Sequence, residues 1–300
     1  MTGRFLVGTA GWSYGDWAGR VYPDPPPRGF DGLRHLARFL DCIEINSTFY
    51  RVPSPRTAAD WVRRTDGLPG FRFTAKVHRS FTHGDESETG PAGVRAFLDA
   101  LAPLRESGRL GTLLLQFPWS FRDSPDARRR LARLCELFSA ERVAVEVRHA
   151  SFASPDAEAF LAALGAGIAE VDMPASPTNL GPRRRVLGPF GYFRLHGRNA
   201  AAWFDPAAGR DRRFDYFYSG EEIDALAGRV RAAAPILPLV FVVTNNHFRG
   251  QGPANSLMLR ARLLGGPVPV PPELLRAFPS LRPYADPRSP GPGVQELLFE

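Results

Sequence analysis

Lysine is almost missing from this sequence: of 38 Lys and Arg side chains, Lys76 is the only lysine. A coding bias toward arginine explains the excess, and the plain alternative for Lys76 is a chance survivor of that bias. A lysine does, however, offer a compact charge and a pKa that burial can lower, and arginine offers neither. Cysteine is scarce too. Cys42 lies in an apolar strand-like run and Cys135 in a helical one, so both are expected as buried free thiols rather than as a disulfide framework. No run approaches the roughly 18 apolar residues of a membrane span. The opening MTGRFLVGTAGW lacks a signal peptide's apolar stretch, so a cytoplasmic protein without membrane contact is expected. The HExxH, CxxC, Walker and GxSxG motifs are missing, and Gly8 and Gly11 lack the GxGxxG spacing.

The 300 residues are 44% hydrophobic, enough for one large core. Short β-rich runs alternate with amphipathic helical stretches. Strands are predicted at Phe5–Thr9, Cys42–Asn46, Phe71–Lys76, Thr112–Gln116, Val143–Glu146, Ile168–Val171, Tyr192–His196 and Leu239–Thr244. Helices are predicted at Leu33–Leu40, Gly93–Glu106, Asp126–Phe138, Pro155–Leu164 and Glu221–Ala233. Eight βα units predict an α/β protein with a single (β/α)8 TIM barrel over residues 1–265. A Pro-rich segment, 266–300, is expected to pack on its outside. A doubly wound open sheet is the alternative, though it usually has fewer units.

Strand side chains alternate between faces, and the outer face of a barrel must be apolar to meet its helices. Ile43 and Ile45 therefore point outward, and Glu44 and Asn46 inward. By the same alternation Arg72, Thr74 and Lys76 face in, as do Ala144, Glu146 and Arg148, and Tyr192, Arg194 and His196; Gln116 shares the face of Leu114. Branched apolar side chains normally fill a barrel. Here charged ones gather at the carboxyl ends of the strands, where barrel enzymes place their chemistry. A self-satisfied network such as Glu44–Arg194 explains the pairing but not the clustering.

Lys76, Arg148 and Arg194 outnumber Glu44 and Glu146, which favours a small anionic ligand. Loops after the seventh and eighth strands are the usual phosphate site of barrels. That points to Gly197, Arg198 and Asn199, with Asn245 and Asn246 as amide donors. Rim aromatics (Trp12, Tyr14, Trp17, Phe49, Tyr50, Trp203, Tyr216 and Tyr218) could stack on a ligand, although each alone reads better as a plug. A metal site would draw on Glu44, Glu146, Asp172 and His196, but the neighbouring positive charges oppose a divalent cation, so neither metal nor cofactor is expected. The formal charge of +7 permits nucleic acid as a partner. The runs Arg128-Arg129-Arg130 and Arg183-Arg184-Arg185 read equally as solvated faces. Nothing in the sequence identifies a protein partner.

The segments GTAGWSYGDWAG (8–19), EINSTFYRVPS (44–54), FTAKVHRSFTH (73–83), LLLQFP (113–118), AVEVRHASF (144–152), GYFRLHGRN (191–199), DYFYSGEEI (215–223) and TNNHFRGQGPANS (244–256) resemble the domain of unknown function 72 family, the YecE-like proteins. The resemblance runs nearly the full length and implies a TIM barrel. Its motifs map onto Glu44, Asn46, Tyr50, Lys76, His83, Gln116, Glu146, Arg148, His149, Arg194, His196, Gly197 and Asn245. Phe152 stands where the family often has Trp. The resemblance carries no reaction with it. The barrel is similar to those of endonuclease IV and the xylose-isomerase-like enzymes, which is an analogy of fold.

Three functions follow in order. The first is an enzyme acting on a phosphorylated or carboxylated ligand, with Glu44 or Glu146 as general base and His196 or Lys76 as acid or electrostatic stabiliser. Asn46, Tyr50, Gln116, Arg148, His149, Arg194, Gly197, Arg198, Asn199, Asn245 and Asn246 would bind substrate. A Schiff base at Lys76 belongs to this reading, but Glu44 and Glu146 are expected to keep the amine protonated and unreactive. The second is a non-catalytic nucleic-acid-binding protein, and the third a metal-dependent phosphodiesterase like endonuclease IV.

Overall fold

The computed structural model describes residues 3–84, 90–183, 185–205, 207–233 and 235–288. Arg184, in the second arginine run, and residues 289–300 of the Pro-rich segment lie outside the described residues.

Nine parallel strands form one sheet: β1 Arg4–Ala10, β2 Cys42–Ile45, β3 Arg72–Lys76, β4 Leu110–Gln116, β5 Val143–Glu146, β6 Gly167–Ile168, β7 Glu170–Asp172, β8 Gly191–Leu195 and β9 Leu239–Thr244. The order β6-β5-β4-β3-β2-β1-β9-β8-β7 joins β1 to β9. The ends of this order, β6 and β7, are separated by Ala169 alone. The predicted sixth strand is thus interrupted rather than continuous. Val145 pairs with Ile168 on one side of the break and Glu170 with Phe193 on the other, while Ala169 N–H donates to Val145 C=O at 2.8 Å. The circle is therefore a TIM-like barrel of eight strand positions, and the open-sheet alternative falls.

Alternation sorts the two faces. Ile43, Ile45, Phe73, Ala75, Leu113, Leu115, Val143, Val145, Phe193, Leu195, Val240 and Val242 join the large core between sheet and helices. A second core of Leu6, Ala10, Cys42, Leu114, Ala144, Ala169, Phe190, Tyr192, Phe241 and Val243 fills the barrel. Large rings fit there only beside small residues: a Cβ on Gly111 would come within 2.8 Å of the Phe241 ring.

Three helices begin with the same device. Ser54, Ser124 and Ser154 each accept from a backbone N–H three residues on, with proline next in sequence; serine caps the exposed donors and proline supplies a helical φ. The predicted helix over 93–106 is two helices, Pro91–Ala100 and Ala102–Glu106. Pro103 has no N–H for the first helix to continue through. After the helix Gln251–Leu264, Val268, Val270, Leu274, Leu281 and Tyr284 pack into the main core. Among the described residues no helix is long and apolar enough to cross a membrane.

Candidate functional site

Arg194, from β8, crosses the top of the barrel interior and is 1% exposed. Its Nε donates to Glu44 Oε2 at 3.0 Å and its Nη2 to Glu44 Oε1 at 2.6 Å. Its Nη1 donates to Glu146 Oε2 at 2.5 Å, with a longer 3.4 Å contact to Gln116 Oε1. Tyr192, one inward position below, donates its hydroxyl to Glu44 Oε2 at 2.8 Å and lies 3.0 Å from Thr74 Oγ1. Arg148 donates to Glu146 Oε1 at 2.6 Å. Both buried carboxylates are thus held by guanidinium groups, the geometry that offsets desolvation of a charge. Burial by itself raises the Glu146 carboxyl, but the charges of Arg148 and Arg194 outweigh it and hold the group well below the usual carboxylate range.

His196 follows β8 and is fully buried. Asn245 Nδ2 lies 2.9 Å from its Nδ1; the amide donates, so the ring proton sits on Nε2. That Nε2 has no hydrogen-bond partner. Glu146 Oε1 is 3.7 Å away, too long for a hydrogen bond. Burial, joined by the charges of Arg194 and Arg148 against the pull of Glu146, brings the imidazole down to about 4, so it is neutral at pH 7. Trp203 and Phe214 cover the ring, with centroids at 5.9 and 6.1 Å.

Lys76 ends β3 and is 8% exposed. Its Nζ lies 4.0 Å from the centroid of the Phe49 ring, and among the described residues no hydrogen bond or ion pair reaches it. Burial first, and then the charge of Arg194, lower its pKa to about 7; Glu44 and Glu146 oppose this, and Arg148 adds to it. The expectation that the two carboxylates keep this amine protonated needs correction, because both are already bonded to Arg194 and Arg148. Sequence reading gave Phe49 only as a rim aromatic and passed over Thr48. Thr48 Oγ1 bonds the carbonyls of Lys76, at 2.6 Å, and Ile45, at 2.9 Å, tying β2 to β3 beneath the amine. A threonine three residues past a strand carries no signal that could have revealed this. His83 stands edge-on to Phe49 at 4.9 Å. Burial and then the charge of Lys76 lower it to about 4.

Glu44, Lys76, Gln116, Glu146, Arg148, Arg194, His196 and Asn245 therefore gather at the carboxyl end of the barrel. Asn46 stands half-buried just past β2, in helical rather than extended backbone. Tyr50 is 66% exposed. His149 caps the turn Ala150–Ala153 through its Nδ1 and meets the edge of Trp119.

The loop predicted to hold phosphate is occupied by its own contacts. Gly197 N–H donates to the Tyr218 hydroxyl at 2.9 Å, and that hydroxyl donates to Asp172 at 2.7 Å. Arg198 is bidentate on Asp172, at 2.8 and 2.7 Å, and also reaches Glu222 at 2.9 Å. Asn199 caps the helix Ala200–Trp203 and donates to Arg212 and Asp215 carbonyls. Asn246 donates to Tyr216 C=O and to Asn255. These four residues brace the barrel rim, a role set by partners 9 to 30 residues distant in sequence.

Among the described residues no three His, Cys, Asp or Glu side chains converge as a metal site would require. Asp172 is taken by Arg198, and Glu44 and Glu146 by Arg194.

A family model described as "Protein of unknown function DUF72" matches residues 6–274. The UPF0759 protein YecE of Escherichia coli K12 is 30% identical over 148 residues, and the matched stretch spans about half of this chain and half of that relative, 49% of each. A DUF72 family protein of Enterococcus faecalis V583 is similar in structure, with a TM-score of 0.77 and 27% identity over 87% of this chain and 96% of that one. Another, from Thermotoga maritima MSB8, has a TM-score of 0.76 and 32% identity over 87% of this chain and 99% of its own.

Proposed function

The chain belongs to the DUF72 family, and from that premise we propose that it is an enzyme acting on a small anion-bearing substrate bound beside Lys76. One observation carries the reading. Three cations, Lys76, Arg148 and Arg194, meet two carboxylates, Glu44 and Glu146, and the carboxylates are bonded to the arginines. That leaves the lysine ammonium buried without an anion. An unpaired buried charge costs several kcal/mol, and a phosphate or carboxylate on a substrate removes that cost.

A nucleic-acid-binding role draws less support, since it needs a continuous free basic face. In the run 128–130, Arg128 is paired with Asp123 and Asp156, Arg129 with Asp126, and Arg130 is bonded to the carbonyls of Phe81 and Gly84.

The test is thermal unfolding in rising inorganic phosphate at constant ionic strength. A ligand that binds only the folded state raises the melting temperature with concentration. The wild type should respond and Lys76→Met should not. Equal responses from the two proteins would overturn the reading.

A further inference from the structure

We propose that Lys76 is a nucleophile that condenses through Nζ with the carbonyl group of a small aldehyde or ketone that also carries a phosphate or carboxylate. This rests on the anion-binding reading above and specifies the chemistry of the same site.

The geometry isolates a primary amine. Thr48 fixes the lysine's backbone at the end of β3, and the side chain runs beside the Phe49 ring. Among the described residues nothing bonds to Nζ, so its lone pair, once free, is not engaged by any hydrogen-bond donor of the protein. The residual 8% exposure leaves the amine reachable from the barrel mouth. A structural cation on an aromatic face would be served equally by arginine, which stacks well on rings. Imine formation is what a lysine does and an arginine cannot, and this is the one lysine of the chain. A pKa of about 7 leaves a large share of the amine unprotonated at neutral pH.

The step is balanced without an oxidant or reductant. The Nζ lone pair attacks the carbonyl carbon while the C=O π pair moves to oxygen. Both N–H hydrogens are transferred to that oxygen, the C–O bond breaks, water leaves, and a C=N bond joins Lys76 to the substrate carbon. Arg148, whose Nη1 has no partner among the described residues and whose side chain is 18% exposed, stands at the same mouth as a second contact for the anionic group, beside the Lys76 nitrogen.

The test uses a matched pair of probes, glycolaldehyde phosphate and glycolaldehyde, each with cyanoborohydride, and locates adducts by peptide mass spectrometry. With one lysine, the α-amino group is the only other primary amine, and it serves as an internal control. Lys76 should be labelled, and faster by the phosphate ester by about tenfold, the value of one charge-assisted hydrogen bond. Equal rates at Lys76 would overturn the anionic requirement. Labelling of the α-amino group alone, in a protein whose melting still responds to inorganic phosphate, would overturn the imine while leaving the anion-binding reading in place. Loss of the phosphate response itself would remove the reading on which the imine rests.

Discussion

Arg194 grips both oxygens of Glu44, Nε on Oε2 at 3.0 Å and Nη2 on Oε1 at 2.6 Å, and spends its remaining nitrogen, Nη1, on Glu146. One guanidinium thereby bridges the carboxylates of two strands in the interior of the barrel, and Arg148 supplies the second positive charge. Arg194→Met would leave Glu44 with the Tyr192 hydroxyl alone and reduce Glu146 to its bond with Arg148. Urea unfolding at neutral pH should show a loss of about 3–5 kcal/mol, the usual consequence of breaking a buried ion pair on one side. Combining it with Glu44→Gln should restore part of that loss. A loss under about 1 kcal/mol, the worth of an exposed pair, would mean that water already solvates the carboxylates.

The alternation that put Glu44, Lys76, Glu146 and Arg194 inside was legible because a strand repeats every two residues and the outer face of a barrel tolerates only apolar side chains. Ile43 and Ile45, or Val143 and Val145, leave no choice for the residues between them. Two things were not legible. The break at Ala169 depends on where neighbouring strands offer partners, not on local sequence. The occupation of Gly197, Arg198, Asn199 and Asn246 depends on Asp172, Tyr218, Glu222 and Asn255, which come together only on folding. The same limit applies to Lys76: composition singled it out, but only the geometry shows that Arg194 and Arg148 have taken the carboxylates it would otherwise have had.

Gly197 has φ +87, and a Cβ there would lie 2.6 Å from Tyr216 Cβ. Gly197→Ala should therefore cost about 1–3 kcal/mol from left-handed backbone and the clash together. Because its N–H binds Tyr218 and not a ligand, the phosphate response of the folded variant should match the wild type. A variant of normal stability that loses that response would reassign Gly197 to the binding mouth.

His196 lies at about 4 in the fold against an ordinary 6.5, chiefly through burial. Between those values the unfolded chain holds a proton that the folded chain does not, so stability falls as pH drops through that window. His35, also lowered to about 4 by burial first and Arg38 second, contributes in the same direction. His196→Gln should flatten the decline, by on the order of 2 kcal/mol at about pH 4. Parallel stability curves for variant and wild type from about pH 7 to 4 would contradict it.

Lys76 should behave in the same sense at the alkaline end. Its ordinary 10.5 falls to about 7 in the fold, with burial the largest cause. Below pH 7 both states are protonated and the fold bears the full penalty of the buried ammonium. Above that, the folded state sheds its proton before the unfolded one, and stability rises with pH up to about 10.5. Lys76→Met removes the group from both states. The variant should be more stable than wild type by on the order of 3 kcal/mol near pH 6, with the advantage shrinking toward zero near pH 10. Taking the difference between the two proteins cancels tyrosine and cysteine titrations common to both. A difference independent of pH would mean that the amine is already solvated or paired.

Replacing Lys76 by arginine separates its charge from its chemistry. The guanidinium keeps a positive charge at every pH reached and can stack on Phe49, so the fold should survive, with a melting temperature within a few degrees of wild type. The charge should also keep the affinity for inorganic phosphate within about threefold, less than the loss of one charge-assisted bond. Arginine has no primary amine, however, and cannot form an imine, so glycolaldehyde phosphate with cyanoborohydride should leave position 76 unmodified. Lys76→Met should lose both properties. Three proteins and two measurements then resolve the role of this residue. A phosphate response lost in the arginine variant while its melting temperature holds would show that the mouth requires the compact shape of lysine and not its charge alone. Retention of the response in the methionine variant would move the anion site away from β3 altogether, toward Arg148.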